Sequence, residues 1–330
     1  MTPETQTDLI AVVVPYFQRE RGILRKCAES VLAQQGAANF RLIVVDDASP
    51  GPAAEELAGI WPADPRVQVI RQDNAGPGAA RNKGLDSLPP GTRYVAVIDS
   101  DDWWDTDFLA RALAALELGY DIFFANSKRH GFDDSRFDWH ASTNRQLIPS
   151  EHQTIDAARE LYAFKGSFFD YALVRSNIIS TSALVYRLSR ITALRFNTRL
   201  YNGQARLIKL HLSKNTDRVA FCPAILVNEG TGINIYDSAK WGNPKSLRLL
   251  SNYIRLSKFI LAELDLTDAQ RRIVTAQLDD SRFSLTASLV HLLKRRQNPD
   301  WSLLIATARE DPFLLMQAIP NVFRIVLHTK

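Results

Sequence analysis

Five short β-branched runs recur through the first 125 residues: LIAVVV (9–14), RLIVV (41–45), RVQVI (66–70), YVAVI (94–98) and DIFFA (121–125). Between them lie segments with apolar residues at helical spacing, among them Ile23, Cys27, Val31 and Leu32, then Phe108, Leu109, Ala112, Leu113 and Leu116. Period-2 and buried-strand patterns that alternate with a 3.6-residue period predict parallel strands joined by right-handed helical crossovers. The expected fold class is therefore α/β, a doubly wound and mostly parallel sheet. Such sheets bind ligands beyond the carboxyl ends of their strands, and each of the first four runs empties into a polar cluster there.

The chain has 330 residues, 46% of them hydrophobic, enough for one large core or two modest ones. Lys+Arg 40 against Asp+Glu 36 leaves a net charge of only +4, scattered along the length, which argues against nucleic acid as a partner. Cys27 and Cys222 are the only cysteines, without disulfide-framework or zinc-ligand spacing, and suit a reducing compartment. The start, MTPETQTD, lacks a basic end followed by an apolar core, and no run approaches the roughly 18 apolar residues of a membrane helix. A cytoplasmic protein is expected.

After residue 130 the rhythm changes. The stretch 127–146 is polar and irregular, DAARELYAF (156–164) predicts a helix, and NIISTSALVYRLS (177–189) mixes a β-branched run with a helical one. The glycine-rich EGTGINIYDSAKWG (229–242) reads either as a loop closing over ligands or as a linker. From Asn243 onward the pattern is helical, with basic amphipathic segments, VHLLKRRQ and FRIVLHTK, that suit either packing or peripheral contact with the inner face of the plasma membrane. The expected divisions are 1–126, 127–236 and 237–330.

Each strand end carries a candidate site with an ordinary structural alternative. In VVVPYFQRE, Pro15 is expected to stop the ladder and leave Tyr16 and the next amides to a base or ribose. In IVVDDASP, Asp46 and Asp47 either cap the next helix through an Asx turn or accept from a ribose or a pyrimidine N–H. In DNAGPGAARNKGL, Asn74 precedes Gly76, Pro77 and Gly78 at a helix start suited to anions, with Arg81 and Lys83 directed to a phosphate. In VIDSDDWW, Asp99, Asp101 and Asp102 flank Ser100. Three carboxylates within four residues repel one another, so either they form a solvated turn before a helix starting at Thr106, or a hard divalent cation compensates them.

The motifs VVVPYFQRE, VVDDASP, NAGPGAARNKGL and VIDSDDWW, in that order and spacing, resemble the family-2 glycosyltransferases with the GT-A fold, strongly over 9–126 and more weakly to about 236. The resemblance implies transfer of a sugar, with inversion, from a nucleotide-diphosphate-sugar, a UDP-sugar being favoured, to a glycan or lipid-linked acceptor, in building a bacterial surface polysaccharide or glycolipid. It implies a nucleotide-binding half at 1–126, an acceptor-binding half at 127–236 and a helical region at 237–330. Pro15, Tyr16, Asp46, Asp47, Asn74, Arg81, Asp99 and Ser100 would surround the nucleotide. Asp99 and Asp101 would be the DxD pair for Mg2+ or Mn2+.

The sequence departs from that family at its base. The usual Gly-Glu-Asp-like motif, at a helix start downstream of a phenylalanine, matches RFNTRLYNGQARLIKLHL (195–212), where Gly203 is followed by Gln204 and Ala205. Both acids are replaced, so either the chain is a substituted or inactive form, the match is displaced, or Asp170 or Glu229 serves instead. Two other readings remain at this point, a non-catalytic sugar-nucleotide-binding scaffold and a nucleotidyltransferase, whereas a response-regulator-like receiver would carry its acid pair after the first strand and here a full strand and helix precede Asp46 and Asp47.

Overall fold

A computed structural model describes residues 9–36, 39–139, 146–190, 194–232 and 242–327. All five predicted strands form. β1 (Leu9–Tyr16), β2 (Phe40–Asp46), β3 (Val67–Arg71) and β4 (Thr92–Val97) lie parallel in the order β3-β2-β1-β4. Helices α1 (Ile23–Leu32), α2 (Ala53–Glu56) and α3 (Pro77–Asp86) make the crossovers. Ile10, Val12 and Val14 of β1 pack into one apolar cluster while Val13 packs into another, so the strand is buried on both faces as a parallel core strand requires. Strand order turns back on itself beside β1, and β1 and β4 leave the sheet on either side of that switch point.

The second half of the sheet is more mixed than the strand runs alone predict. β6 (Ile122–Arg129) is parallel to β10 (Val219–Glu229), but β9 (Leu184–Arg187) runs antiparallel between β4 and β6. β5 (Trp103–Trp104) pairs antiparallel with β10, and α4 (Phe108–Glu117) begins two residues after the Thr106 start that the sequence suggests.

Residues 156–164 do not form the predicted helix. They lie in a hairpin of β7 (Gln153–Asp156) and β8 (Leu161–Ala163), turning at Glu160 with φ 53. The helix-favouring composition yields to pairing: Tyr162 and Ala163 sit opposite Phe221 and Ala220 of β10, and Leu161 is buried. Within 177–189 the β-branched run does not form the strand: Ile178 and Thr181 fall in short 3-10 turns, and the strand β9 forms from Leu184–Arg187 of the following run. α5 (Phe168–Arg175) precedes them.

The chain divides into two compact units. One holds residues up to Phe196 together with Ile208–Ile233; the other holds Asn197–Leu207 and Asn234–Lys330, and the division falls inside α6 (Gln204–Lys214). As expected, the carboxyl-terminal unit is helical: α7 (Pro244–Glu263), α8 (Asp268–Lys294), α9 (Trp301–Glu310) and α10 (Phe313–Leu327). Leu247, Ile254, Leu278, Leu285, Leu292 and Leu314 form its core. Among the described residues no helix is long and apolar enough to cross a membrane.

Candidate active site

The polar residues at the carboxyl ends of β1 to β4 come together in the first unit. Pro15 does not stop the ladder. Its register continues opposite Val45, and Tyr16 pairs with Asp46. The missing N–H costs nothing because Pro15 faces the β4 side, where the last bond is Ile98 N–H to Val13 O (3.1 Å), whereas Tyr16 O accepts from Asp47 N–H (2.9 Å) on the β2 side. The Tyr16 hydroxyl donates to Gly51 O (2.8 Å).

Asp46 and Asp47 are buried and their oxygens are engaged internally. Asp46 accepts from the Ser49 N–H (2.8 Å), the Ala53 N–H at the start of α2 (3.0 Å) and Arg71 (2.8 Å). This is the Asx-turn and cap alternative, with an ion pair added. Asp47 accepts from Gln72 (2.7 Å) and from the Ala75 and Gly76 N–H groups (2.9 and 2.8 Å), and Asn74 donates to Asp47 O (2.9 Å). Asp47 thus shapes the loop that leads into α3, and Asn74 remains exposed beside it.

The aspartates after β4 divide into two kinds. Asp102 is buried: it accepts from the Ser182 hydroxyl and from the Gly230 N–H (3.0 Å). Ser182 Oγ also accepts from the Asp99 N–H (3.0 Å), and Ser182 O accepts from Trp104 Nε1 (2.7 Å), so one serine holds both ends of the turn. Asp99 and Asp101 are half-buried and reach the crevice. Asp99 Oδ1 accepts from Arg81 (2.5 Å), whose buried guanidinium also faces the Phe196 ring. Arg81 therefore orients a carboxylate within this structure. Ser100 accepts from Gln18 (3.2 Å), and Gln18 exchanges backbone bonds with Ser49 Oγ, tying the β1, β2 and β4 ends together.

The segment after β10 closes on this turn. The Gly232 N–H donates to Asp101 Oδ2 (2.9 Å), and a Cβ on Gly230 would lie 1.9 Å from Asp101 O, which only glycine permits. Residues 233–241 of the glycine-rich stretch lie outside the described residues.

A sequence model of glycosyl transferase family 2 matches residues 11–181. The succinoglycan biosynthesis protein ExoW of Rhizobium meliloti is 32% identical over 94% of this chain and 96% of its own. The chain belongs to glycosyl transferase family 2. Its fold resembles that of Staphylococcus aureus TarS in complex with UDP-GlcNAc (TM-score 0.55, 17% identity, 86% of this chain and 72% of that one). It also resembles the mannosyltransferase PcManGT of Pyrobaculum calidifontis in complex with GDP-Man and Mn2+ (TM-score 0.55, 14% identity, 97% and 88%). The fold is GT-A, and the chain is a glycosyltransferase of this family.

In this transferase the turn stores electrostatic strain. Burial and the neighbouring Asp99 raise the Asp101 pKa to about 6, and burial with Asp101, Asp99 and Glu229 raises Asp102 well above the carboxylate range. Burial also raises the Cys27 thiol, whose Sγ lies 3.7 Å from Asp99 O. Glu229 differs. Burial raises its pKa, but Arg136, gripping both carboxylate oxygens, and the Ser127 hydroxyl (2.7 Å) outweigh it and hold Glu229 ionised.

The donor set fits a hard cation. Among the described residues no three His, Cys, Asp or Glu side chains group as a metal cage. Two neighbouring half-buried carboxylates, one with its pKa raised by burial and by the other's charge, are what Mg2+ or Mn2+ would use with substrate phosphates completing its shell.

That strain has a measurable sign. Because the folded state holds the Asp101 proton up to about pH 6 while an unfolded aspartate releases it near 4, the group contributes stability below that window and loses it as pH rises through it. In chelator, the Tm gain between pH 7.5 and 5 should be about 2 °C larger for the wild type than for Asp101→Asn. Parallel pH profiles in thermal melts would contradict the assignment.

Gln204 and Ala205 open α6 and belong to the second unit, after Gly203 at φ 82. Gln204 is buried and donates to Leu200 O. Asp170 lies exposed in the first turn of α5, its N–H donating to Ser167 Oγ (3.1 Å). Sequence reasoning missed Gln18, Ser49 and Ser182; a serine 80 residues downstream of Asp102 carries no local signal.

Proposed function

We propose that this chain moves a sugar from a nucleotide-diphosphate-sugar, with a UDP-sugar favoured, to a glycan or lipid-linked acceptor with inversion at the anomeric carbon. The observation that carries the reading is the half-buried pair Asp99 and Asp101 beside the β1/β4 switch point, where burial and then the Asp99 charge raise the Asp101 pKa. The bound nucleotide sugars of TarS and PcManGT support the donor class, and the Mn2+ of PcManGT supports a divalent ion. The name of ExoW supports polysaccharide biosynthesis. Residues 1–126 would serve the nucleotide, 127–236 the acceptor, with 237–330 as a helical region.

Asp99 and Asp101 would hold Mg2+ or Mn2+, which supplies Lewis-acid stabilisation of the departing diphosphate. Arg81 fixes the Asp99 carboxylate, and Ser182 fixes the turn that presents both aspartates. Pro15, Tyr16, Asn74 and Ser100 would border the nucleotide, with Asp46 and Asp47 shaping those loops from beneath. The attacking hydroxyl must lose a proton, so a base is needed within hydrogen-bond reach. Gln204 and Ala205, at the family's acid positions, accept none at neutral pH. Glu229 is held ionised by its ion pair and is poorly placed to receive one. The chemistry is therefore impaired in this reading, and the same substitution favours a second one, a scaffold that binds the donor without consuming it.

Calorimetric titration with UDP, GDP and dTDP, each with and without Mn2+, tests the donor site. Metal-dependent binding of one nucleotide supports it and narrows the sugar. Absence of binding to all three removes the reading.

A further inference from the structure

Helix α10 is amphipathic in the reverse of the usual sense. Leu315, Met316, Ile319, Val322 and Phe323 recur at i, i+1, i+4, i+7 and i+8 and therefore share one stripe. That stripe faces outward: Met316 is 71% exposed, Ile319 68% and Phe323 65%. The side turned to α8 holds Leu314 and the polar Gln317, which donates to Asp279 (3.2 Å). A helix at a water-facing surface puts its charges out and its apolar stripe in. On α9, Trp301 and Ile305, one turn apart, are exposed as well. Contiguous apolar surface of this kind marks an interaction site.

We propose that this face docks on an anionic lipid bilayer. The charge pattern selects that occupant. From Pro312 to Lys330 the sequence has no acid but carries His328, Lys330 and Arg324, the last with its guanidinium over the Phe283 ring of α8, and α8 ends in the exposed run Lys294, Arg295 and Arg296. The acids Asp279, Glu310 and Asp311 nearby are paired with Arg255, Lys258 and Arg282. Aromatic and long aliphatic side chains flanked by basic ones are the composition of a helix lying in the headgroup plane. At 15 residues, α10 is too short to span. The proposal does not depend on the transfer chemistry above, because its readout is partition and not turnover.

The test is sedimentation of the full-length chain with phosphatidylcholine vesicles, with and without phosphatidylglycerol. Wild type should pellet with the anionic vesicles, and the triple variant Met316→Gln, Ile319→Gln, Phe323→Gln should lose about tenfold or more in partition. Lys294→Glu with Arg295→Glu should weaken binding with the apolar stripe intact. Since these side chains are exposed, melting temperatures should stay unchanged, which separates lost docking from lost folding. Equal partition of wild type and triple variant would overturn the proposal, as would absence of vesicle binding. So would a wild-type dimer, seen by light scattering, that the triple variant converts to monomer.

Discussion

Asp101→Ala should abolish Mn2+-dependent nucleotide binding in calorimetry and lower any sugar transfer by about 10²–10³-fold, the scale of losing a group that stabilises developing charge. The argument rests on position and strain together. Asp101 is half-buried at the β4 mouth, one oxygen accepts from the Gly232 N–H, and burial followed by the Asp99 charge raises its pKa. Removing its carboxylate removes a metal ligand and the repulsion but also the acceptor of the Gly232 N–H, two opposing effects, so the metal-free variant should melt close to wild type. This combination distinguishes a ligand from a structural aspartate. Asp102, buried under Ser182 and Gly230, is the internal control: Asp102→Ala should lower the melting temperature by leaving those donors unsatisfied. Unchanged metal dependence in Asp101→Ala would sink the site assignment.

The second large effect is a gain. Ala205→Asp should raise turnover by about 10²–10⁴-fold, the usual contribution of a positioned general base. The local structure can accept it. Residue 205 lies in the first turn of α6, where a carboxylate is favoured by the helix dipole by about 0.3–1 kcal/mol, and it follows Gly203 at φ 82, packed so that a Cβ would meet Leu256 at 2.7 Å. Residue 204 is a different matter. Gln204 donates to Leu200 O from a buried position, and a glutamate in its place would present an acceptor to an acceptor. The Gln204→Glu, Ala205→Asp double variant should therefore gain in turnover yet lose in stability, while Ala205→Asp alone keeps both. Steady-state rates for a donor identified by titration decide it. An unchanged rate in both variants would mean that the proton goes elsewhere.

Much of the first unit was legible because its information is local. Val12 to Val14, Ile43 to Val45 and Tyr94 to Val97 are buried on both faces, so an unbroken apolar run signals each strand. Gly76 and Pro77 likewise mark the start of α3. What the sequence hides is set by distant partners. Leu161 to Ala163 look helical until β10 supplies a ladder. Asp46 and Asp47 read equally well as ligands or as caps, and only Arg71, Gln72 and the Ala53 and Gly76 amides decide how their oxygens are used. Arg81 pointed to a phosphate in the sequence, whereas its partner 18 residues on is Asp99.

The antiparallel insertion of β9 also bears on how the molecule is made. Residues 184–187 fill the gap between β4 and β6, two strands that leave the ribosome at least 55 residues earlier. Until they arrive, a nascent chain carries two open sheet edges, the kind that pair with neighbours. A recombinant fragment ending near 126 would keep both edges permanently. It should aggregate where a fragment reaching past β10 stays monodisperse, and a minimal donor-binding piece of this transferase has to be cut after residue 229.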